Sequence, residues 1–546
     1  MPNKVRSIFL ALTVVAFLVA ANAKCAEKAI TGSPERKPEG TIIIALQSLE
    51  TQAWHTYLGA TAPMMMMMTP VYDSLLQWGP NVDELRPMLA EKWTISSDGK
   101  TFDFYLRKGI QFHDGWGEFT AEDVKFSLEQ TKEKGSRATR RGQFDDLVAD
   151  IQIIDRYHVR TILKIPSAEW VWMLSTWLQD QPIYCKKYVQ SVGVEKAGVR
   201  PIGTGPYKFV EQKMGQYAKL EALDKHFRVT PYYKYILFKI VPEPRMALAM
   251  VQKGEADFCP IPLNFVREAK KGGVKIFEVP ESGQLVCHFG GMYIPEVVKD
   301  KYDPSCPWVP FIGEKSRKVR LALEMAIDKE AIRQRVLSGY IKHQAQFGFP
   351  NDSVYSDSSW KPIPYDPKRA KELLIEAGYP KGFAKPITMW QMIMPGKDHV
   401  SEVAEALAQY WERNLGLKVN RRAIEYGPVK AAWRDRSDSW ICYTYQWQGP
   451  YPEPYMSATR IGLTTISSTL TGMDPRIDEL CKKIGAELND KKRADLNRQF
   501  GQIWYDYRAV ISLGLADTLY AVSAKIGHWD REPRISMVHN LEYLRP

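Results

Sequence analysis

The chain has 546 residues, 45% of them hydrophobic and 25% charged, with a formal charge of +11. Such a length accommodates two or more domains of ~100–200 residues each, and the composition is that of an ordinary globular protein. The basic residues are scattered, with no stripe and no base-reading motif, so no nucleic-acid partner is expected and the surplus charge reads as solubility. Of the seven cysteines, at least one stays unpaired in a monomer. No C-x-x-C occurs, which argues against a zinc ribbon or a thioredoxin-like redox centre.

Lys4 and Arg6 form a basic start, Ser7 to Ala20 an apolar stretch, and Ala21-Asn-Ala23 a small-x-small cleavage site. This is the pattern of a secretory signal, with residues 1–23 removed on export. Cys25 invites lipidation, but Lys24 stands where a small residue should precede a lipidated cysteine, so a soluble exported form is expected. Residues 24–40 read as a loose polar arm, and Thr41 to Leu46 as the first strand. The run Met64 to Met68 reads as flexible apolar filler on a buried helix or loop, the alternative being a ligand-contacting patch.

Trp93–Ile95 and Thr101–Leu106 are short alternating runs joined through Asp98-Gly99, a hairpin signal. Thr120-Ala-Glu-Asp123 has capping-box spacing and opens a helix. Pro201-Ile-Gly-Thr-Gly-Pro-Tyr207 completes neither phosphate-binding motif and reads as a tight turn feeding a strand. Val319, Ala322, Leu323, Ala326 and Ile327 make a buried helical stripe, after which Asp328 caps a second helix. Asp366-Pro367 starts another helix that stops at Gly378, and Glu402 to Leu415 a further one ended by Gly416, followed by a strand over Leu417–Ile424. Alternating helices and strands through residues 200–500 predict α/β lobes.

No G-x-S-x-G, H-E-x-x-H, EF-hand or Walker A sequence is present. The nine histidines are dispersed without metal-ligand spacing, so neither catalysis nor a metal or other cofactor is expected. His113, beside Asp114, reads as a structural hydrogen-bonding histidine. From Trp440 to Thr459 the chain is rich in aromatics. Ile441, Tyr443, Tyr445 and Trp447 alternate on one strand face, and Gly449 with three prolines then forces an irregular loop. Tyr and Trp offer a large apolar contact and a polar handle together.

The linear order of these motifs resembles one family closely. Y-D-S-L at Tyr72, L-A-x-x-W, D-G-x-x-x-x-F-x-L-R, F-H-D-G, F-T-A-E-D-V, P-I-G-T-G-P-Y and Lys318-Val-Arg-Leu-Ala-Leu-Glu-Met-Ala-Ile-Asp328 follow one another over nearly the whole mature chain. They are similar to the extracellular solute-binding proteins of peptide- and nickel-type ABC importers. The resemblance implies a two-lobed α/β fold of the periplasmic-binding-protein type (type II), which closes about a hinge and carries an extra domain in the first lobe. By position, lobe I takes residues 40–78, 198–282 and 508–546, the inserted domain 79–197, and lobe II 283–507. It implies a periplasmic monomer that captures a small-molecule or peptide-like ligand and hands it to an inner-membrane permease. The alternatives are an exported hydrolase, or a binding protein that feeds a sensor.

Family members that bind oligopeptides carry W-x-x-D-Y-x-[DE]-P, whose aspartate pairs with the peptide amine. Here the sequence is Trp447-Gln-Gly-Pro450-Tyr451-Pro-Glu453-Pro, so the aspartate position holds Pro450. The resemblance therefore implies Trp447, Tyr451 and Glu453 as ligand neighbours, joined by Tyr445 on the same strand face, but without the usual amine anchor. By matching position Gln47, Glu50 and Trp54 would contribute from lobe I, and His399 and Tyr426 from lobe II. Cys287 and Cys306 flank a segment that looks inserted relative to the family, and a disulfide closing that loop is an expectation.

Overall fold

The computed structural model describes residues 36–49, 52–59, 62–79, 84–177, 180–296, 298–309, 313–394, 396–449, 451–461, 474–530 and 540–546. In chain order its principal strands are β1 (Thr41–Leu46), β2 (Ala90–Ile95), β3 (Thr101–Leu106), β4 (Val148–Asp155), β5 (His158–Leu163), β6 (Tyr207–Lys213), β7 (Tyr217–Ala222), β8 (Tyr235–Ile240), β9 (Phe258–Ile261), β10 (Lys275–Phe289), β11 (Ile387–Ile393), β12 (Val419–Glu425), β13 (Ile441–Gln448) and β14 (Val510–Val522). The central sheet has 11 strands in the order β12-β11-β13-β10-β14-β9-β1-β8-β7-β6, with the short strand Ile341–Lys342 beside β14. Strands β2 to β5 form a separate four-stranded sheet, ordered β2-β3-β5-β4. Helices used below are α1 (Ala62–Met68), α2 (Ala121–Lys132), α3 (Glu314–Met325), α4 (Pro367–Glu376), α5 (His399–Leu415), α6 (Tyr426–Asp435) and α7 (Asp490–Tyr507).

The local signals act as the sequence dictates. Gly99 turns the β2–β3 hairpin at φ +67°. Thr120 and Asp123 form a reciprocal capping box at the start of α2, and the Asp366 carboxylate accepts from the Arg369 N–H at 2.9 Å to start α4. α5 begins at His399, three residues before the expected Glu402, and ends on left-handed Gly416 at φ +67°. Met64 to Met68 are all buried in α1, four in the lobe I core and Met65 against an aromatic cluster described below. The methionine run therefore serves packing on both sides of one short helix.

Two motifs tie segments far apart in sequence to one another. The His113 ring bonds the Gly205 carbonyl at 2.8 Å, and the His113 N–H donates to the Gly203 carbonyl at 2.9 Å. Burial drops the His113 pKa to about 4, so the ring is neutral. A Cβ at Gly203 would lie 2.0 Å from the Val71 carbonyl oxygen, and one at Gly205 2.4 Å from that of Pro70. The P-I-G-T-G-P-Y glycines thus allow backbone to press on backbone. Beside them, Asp73 accepts from Arg228 Nε at 2.7 Å and from the Thr204 hydroxyl at 2.9 Å, while Arg228 Nη1 reaches Glu542 at 2.5 Å.

Strands β10 and β14 pair along most of their length in the central sheet. Lys275–Val279 of β10 pairs with Thr518–Val522, the register slips, and Gly283–His288 pairs with Val510–Ala516. At the slip Glu281 has φ +53° and its N–H donates to Asp517 at 2.8 Å. Burial and the neighbouring Glu278 and Glu281 push the Asp517 carboxyl up to about 6, against the bond from the Glu281 N–H; Lys342 bonds Glu281 at 2.7 Å. A carboxyl raised on folding costs stability as pH rises from its unfolded value near 4 through 6. Asp517→Asn is expected to stabilise by about 1–2 kcal/mol at pH 7.5, the gain vanishing below about pH 4. Urea titrations at both pH values check this; an equal effect at each would refute it.

The expected Cys287–Cys306 cross-link is not formed, and both are free, fully buried thiols. Cys287 faces the helix-covered side of lobe II, where Cys442 on β13 lies within hydrogen-bonding reach. The intervening loop is held otherwise: Tyr293 donates to Asp438, Trp308 Nε1 donates to the Gly290 carbonyl at 2.8 Å, and Arg320 grips the Trp308 carbonyl at 2.6 Å. Burial pushes the Cys306 thiol up to about 12.

Candidate functional site

In lobe II, β11 runs parallel to both β12 and β13, so the three strands end along one edge. Crevices outside the carboxyl ends of parallel strands are where open α/β sheets take ligands. The segments leaving these ends are the loop Met394–Lys397 into α5, Tyr426 at the start of α6, and residues 449–453 after β13.

The alternation of β13 separates its two faces. Cys442 enters the core under α3, α4 and α5, together with Leu285 and Phe289. Tyr443, Tyr445 and Trp447 face the other way, with Val286, Trp390, Phe347 and Trp433. Tyr445 and Trp447 have ring centroids 4.6 Å apart, and Trp433 lies 5.8 Å from Tyr445 and near-parallel to Trp447 at 6.5 Å. Tyr426 stacks on Tyr445 at 6.0 Å and their hydroxyls are 3.1 Å apart. Trp447 Nε1 donates to His288 Nε2 at 2.9 Å, a ring that burial keeps neutral by lowering its pKa to about 3.

Side chains from the amino-terminal part of the chain pack against this cluster. Trp177, from the inserted segment, packs edge-on to Tyr451 with centroids 5.2 Å apart. Met65 and Trp78 from lobe I belong to the same apolar cluster. The Ala168 N–H donates to the Gly485 carbonyl at 2.9 Å, a second bridge between the inserted segment and lobe II. Gln47 reaches across from the end of β1: its Oε1 is 3.5 Å from where a Cβ on Gly396 would stand.

Tyr426, Tyr445, Trp447 and Tyr451 thus share one aromatic cluster, and Gln47 approaches Gly396 in the loop after β11. His399 has Nε2 2.5 Å from Gln446 Oε1 and a pKa lowered to about 4 by burial. Two residues are placed elsewhere. Trp54 is fully buried in the lobe I core, where its indole N–H donates to Gln212 at 2.9 Å. Glu453 is buried and committed to Arg493 at 2.5 Å and Asn497 at 3.2 Å. Glu50 and Pro450 lie outside the described residues. Sequence reasoning missed Trp433 and His288. Trp433 stands seven residues after Tyr426 on one helical face, a signal that was legible once α6 was recognised.

The sequence matches the family model for bacterial extracellular solute-binding proteins, family 5 (middle), over residues 84–468. It is 28% identical over 381 residues to a dipeptide-binding protein of Escherichia coli, covering 66% of this chain and 67% of that one. A heme-binding protein A of Haemophilus influenzae is 26% identical over 459 residues, covering 79% and 78%. A glutathione-binding protein of Pectobacterium atrosepticum is 30% identical over 347 residues, covering 62% and 61%. Among solved structures, the periplasmic binding protein DppA of Helicobacter pylori with the peptide STSA superposes with a TM-score of 0.76 at 21% identity, over 93% of this chain and 99% of that one. NikZ of Campylobacter jejuni with Ni(L-His) gives 0.75 at 22% identity, over 93% and 100%. These structural likenesses establish a two-lobed binding-protein fold.

Proposed function

The chain belongs to the bacterial extracellular solute-binding proteins of family 5, and from that membership we propose that it is the exported, periplasmic capture component of an ABC importer. The observation that carries this reading is the aromatic cluster at the carboxyl ends of β11, β12 and β13, faced by Gln47 and Trp177 from the opposite lobe. Closure about the β10 and β14 crossings would bury a small solute among these rings and present the closed form to a permease. A ligand drives that closure only by binding the closed state better than the open one. No described helix is long and apolar enough to cross a membrane.

Unmodified peptides are disfavoured as ligands. The amine-pairing position holds Pro450, and Glu453 is already engaged by Arg493 and Asn497. A buried ammonium without a partner is costly. Small solutes that stack on rings without needing that anchor fit better, including blocked peptides and glycosides. Calorimetry on free-amine di- to pentapeptides against blocked peptides and sugars tests this, with the free peptides expected to bind weakly. Micromolar binding of ordinary peptides would show that another acid has replaced the anchor. Solution scattering tests the motion: the radius of gyration should fall on adding a tight ligand, and an unchanged profile at saturation would remove hinge closure as the mechanism.

A further inference from the structure

The cleft holds a cation that the aromatic cluster does not explain. Lys397 leaves the carboxyl end of β11, one residue after the Gly396 that faces Gln47 of the other lobe. Its ammonium donates to the Gln446 carbonyl at 3.2 Å, on the strand segment that carries Tyr445 and Trp447. Among the described residues no carboxylate stands within ion-pairing distance of it. The adjacent Asp398 carboxyl is raised by burial and by the nearby Glu402 and Glu243. Burial pulls the Lys397 pKa down to about 8. Beside it, buried His399 has Nδ1 without a partner while Nε2 is held by Gln446.

An ammonium that is half-buried against one neutral carbonyl, with no carboxylate beside it, is better satisfied when an anion completes it. The surroundings favour that anion: α5 and α6 begin just after the carboxyl ends of the paired strands β11 and β12, which places their positive dipole ends at this edge of the sheet. Lys430, over the Tyr426 ring at 4.4 Å, adds a second cation near the rim. We propose that Lys397 anchors a carboxylate of the ligand, so that the cleft selects anionic small solutes that stack an apolar or ring portion on Tyr445 and Trp447. This rests on the solute-binding reading above and narrows it. The charge preference is then opposite to that of a site built around an amine-pairing aspartate, and it agrees with proline at position 450.

The test uses N-acetylated aromatic dipeptides as matched pairs, one with a free terminal carboxylate and one as the amide, together with mass spectrometry of solutes that copurify with the full chain. The carboxylate members should bind at least tenfold more tightly than their amides. Lys397→Gln should abolish that preference without lowering the melting temperature of the ligand-free protein, and Lys397→Arg should retain it. Copurifying solutes should carry a carboxylate. Equal affinity for acid and amide, undiminished binding by Lys397→Gln, or a neutral or cationic copurifying solute would overturn the Lys397 assignment while leaving solute capture intact. If no solute copurifies and no probe closes the lobes, the solute-binding reading itself fails with it.

Discussion

Arg228→Leu is expected to destabilise the protein by about 3–5 kcal/mol, because it strands two buried carboxylates at once. Asp73 and Glu542 are 0% and 2% exposed, and Arg228 joins them across three distant segments of lobe I. Burial alone would raise the Asp73 carboxyl, but Arg228 and His226 override it and hold the group well below the usual carboxylate range. A carboxyl depressed in this way contributes stability above its unfolded pKa near 4, and loses it as pH falls through the folded value. The penalty of the substitution should therefore be full at pH 7 and shrink in strong acid, where the stranded carboxylates can take up protons. Urea titration at pH 7 and at pH 3 measures both points. A loss below about 1 kcal/mol at pH 7 would mean that the cluster is hydrated and does not hold the segments together.

Trp447→Ala should weaken the ligand by about 1–3 kcal/mol, roughly a 5- to 150-fold rise in Kd. The ring sits among Tyr445, Trp433 and Phe347, and its N–H holds His288. Deleting it removes a stacking surface and opens space that lets the neighbouring rings relax. The same deletion takes a bond from His288, which should cost about 1–3 kcal/mol of stability. Binding must therefore be measured well below the variant's Tm, by calorimetry against the solute that copurifies with the natural protein. Unchanged affinity in a folded variant would place the ligand away from the rings.

Much of this architecture is written in local signals. Asp98-Gly99, the Thr120 capping box, Asp366-Pro367 and Gly416 act over a few residues through φ preference and side-chain caps, so they are readable without knowing the fold. The alternation Tyr443, Tyr445, Trp447 likewise announces one strand face, because side chains on a strand alternate. The order of motifs along the chain carries the family.

Charge pairing and proximity across the chain were not legible, because they arise only when segments far apart in sequence meet. Glu453 reads as a ligand acid until α7 brings Arg493 and Asn497 onto it. Trp54 reads as a cleft residue until the β6 strand supplies Gln212 for its indole. Cys287 reads as the partner of Cys306 until the pairing of β10 with β13 sets Cys442 beside it. Lys397 carries no motif at all. Only the parallel edge of β11, β12 and β13, the partial burial of its side chain and the approach of Gln47 to the neighbouring Gly396 make it a distinctive group, since a lysine acquires an unusual electrostatic environment from what folds around it.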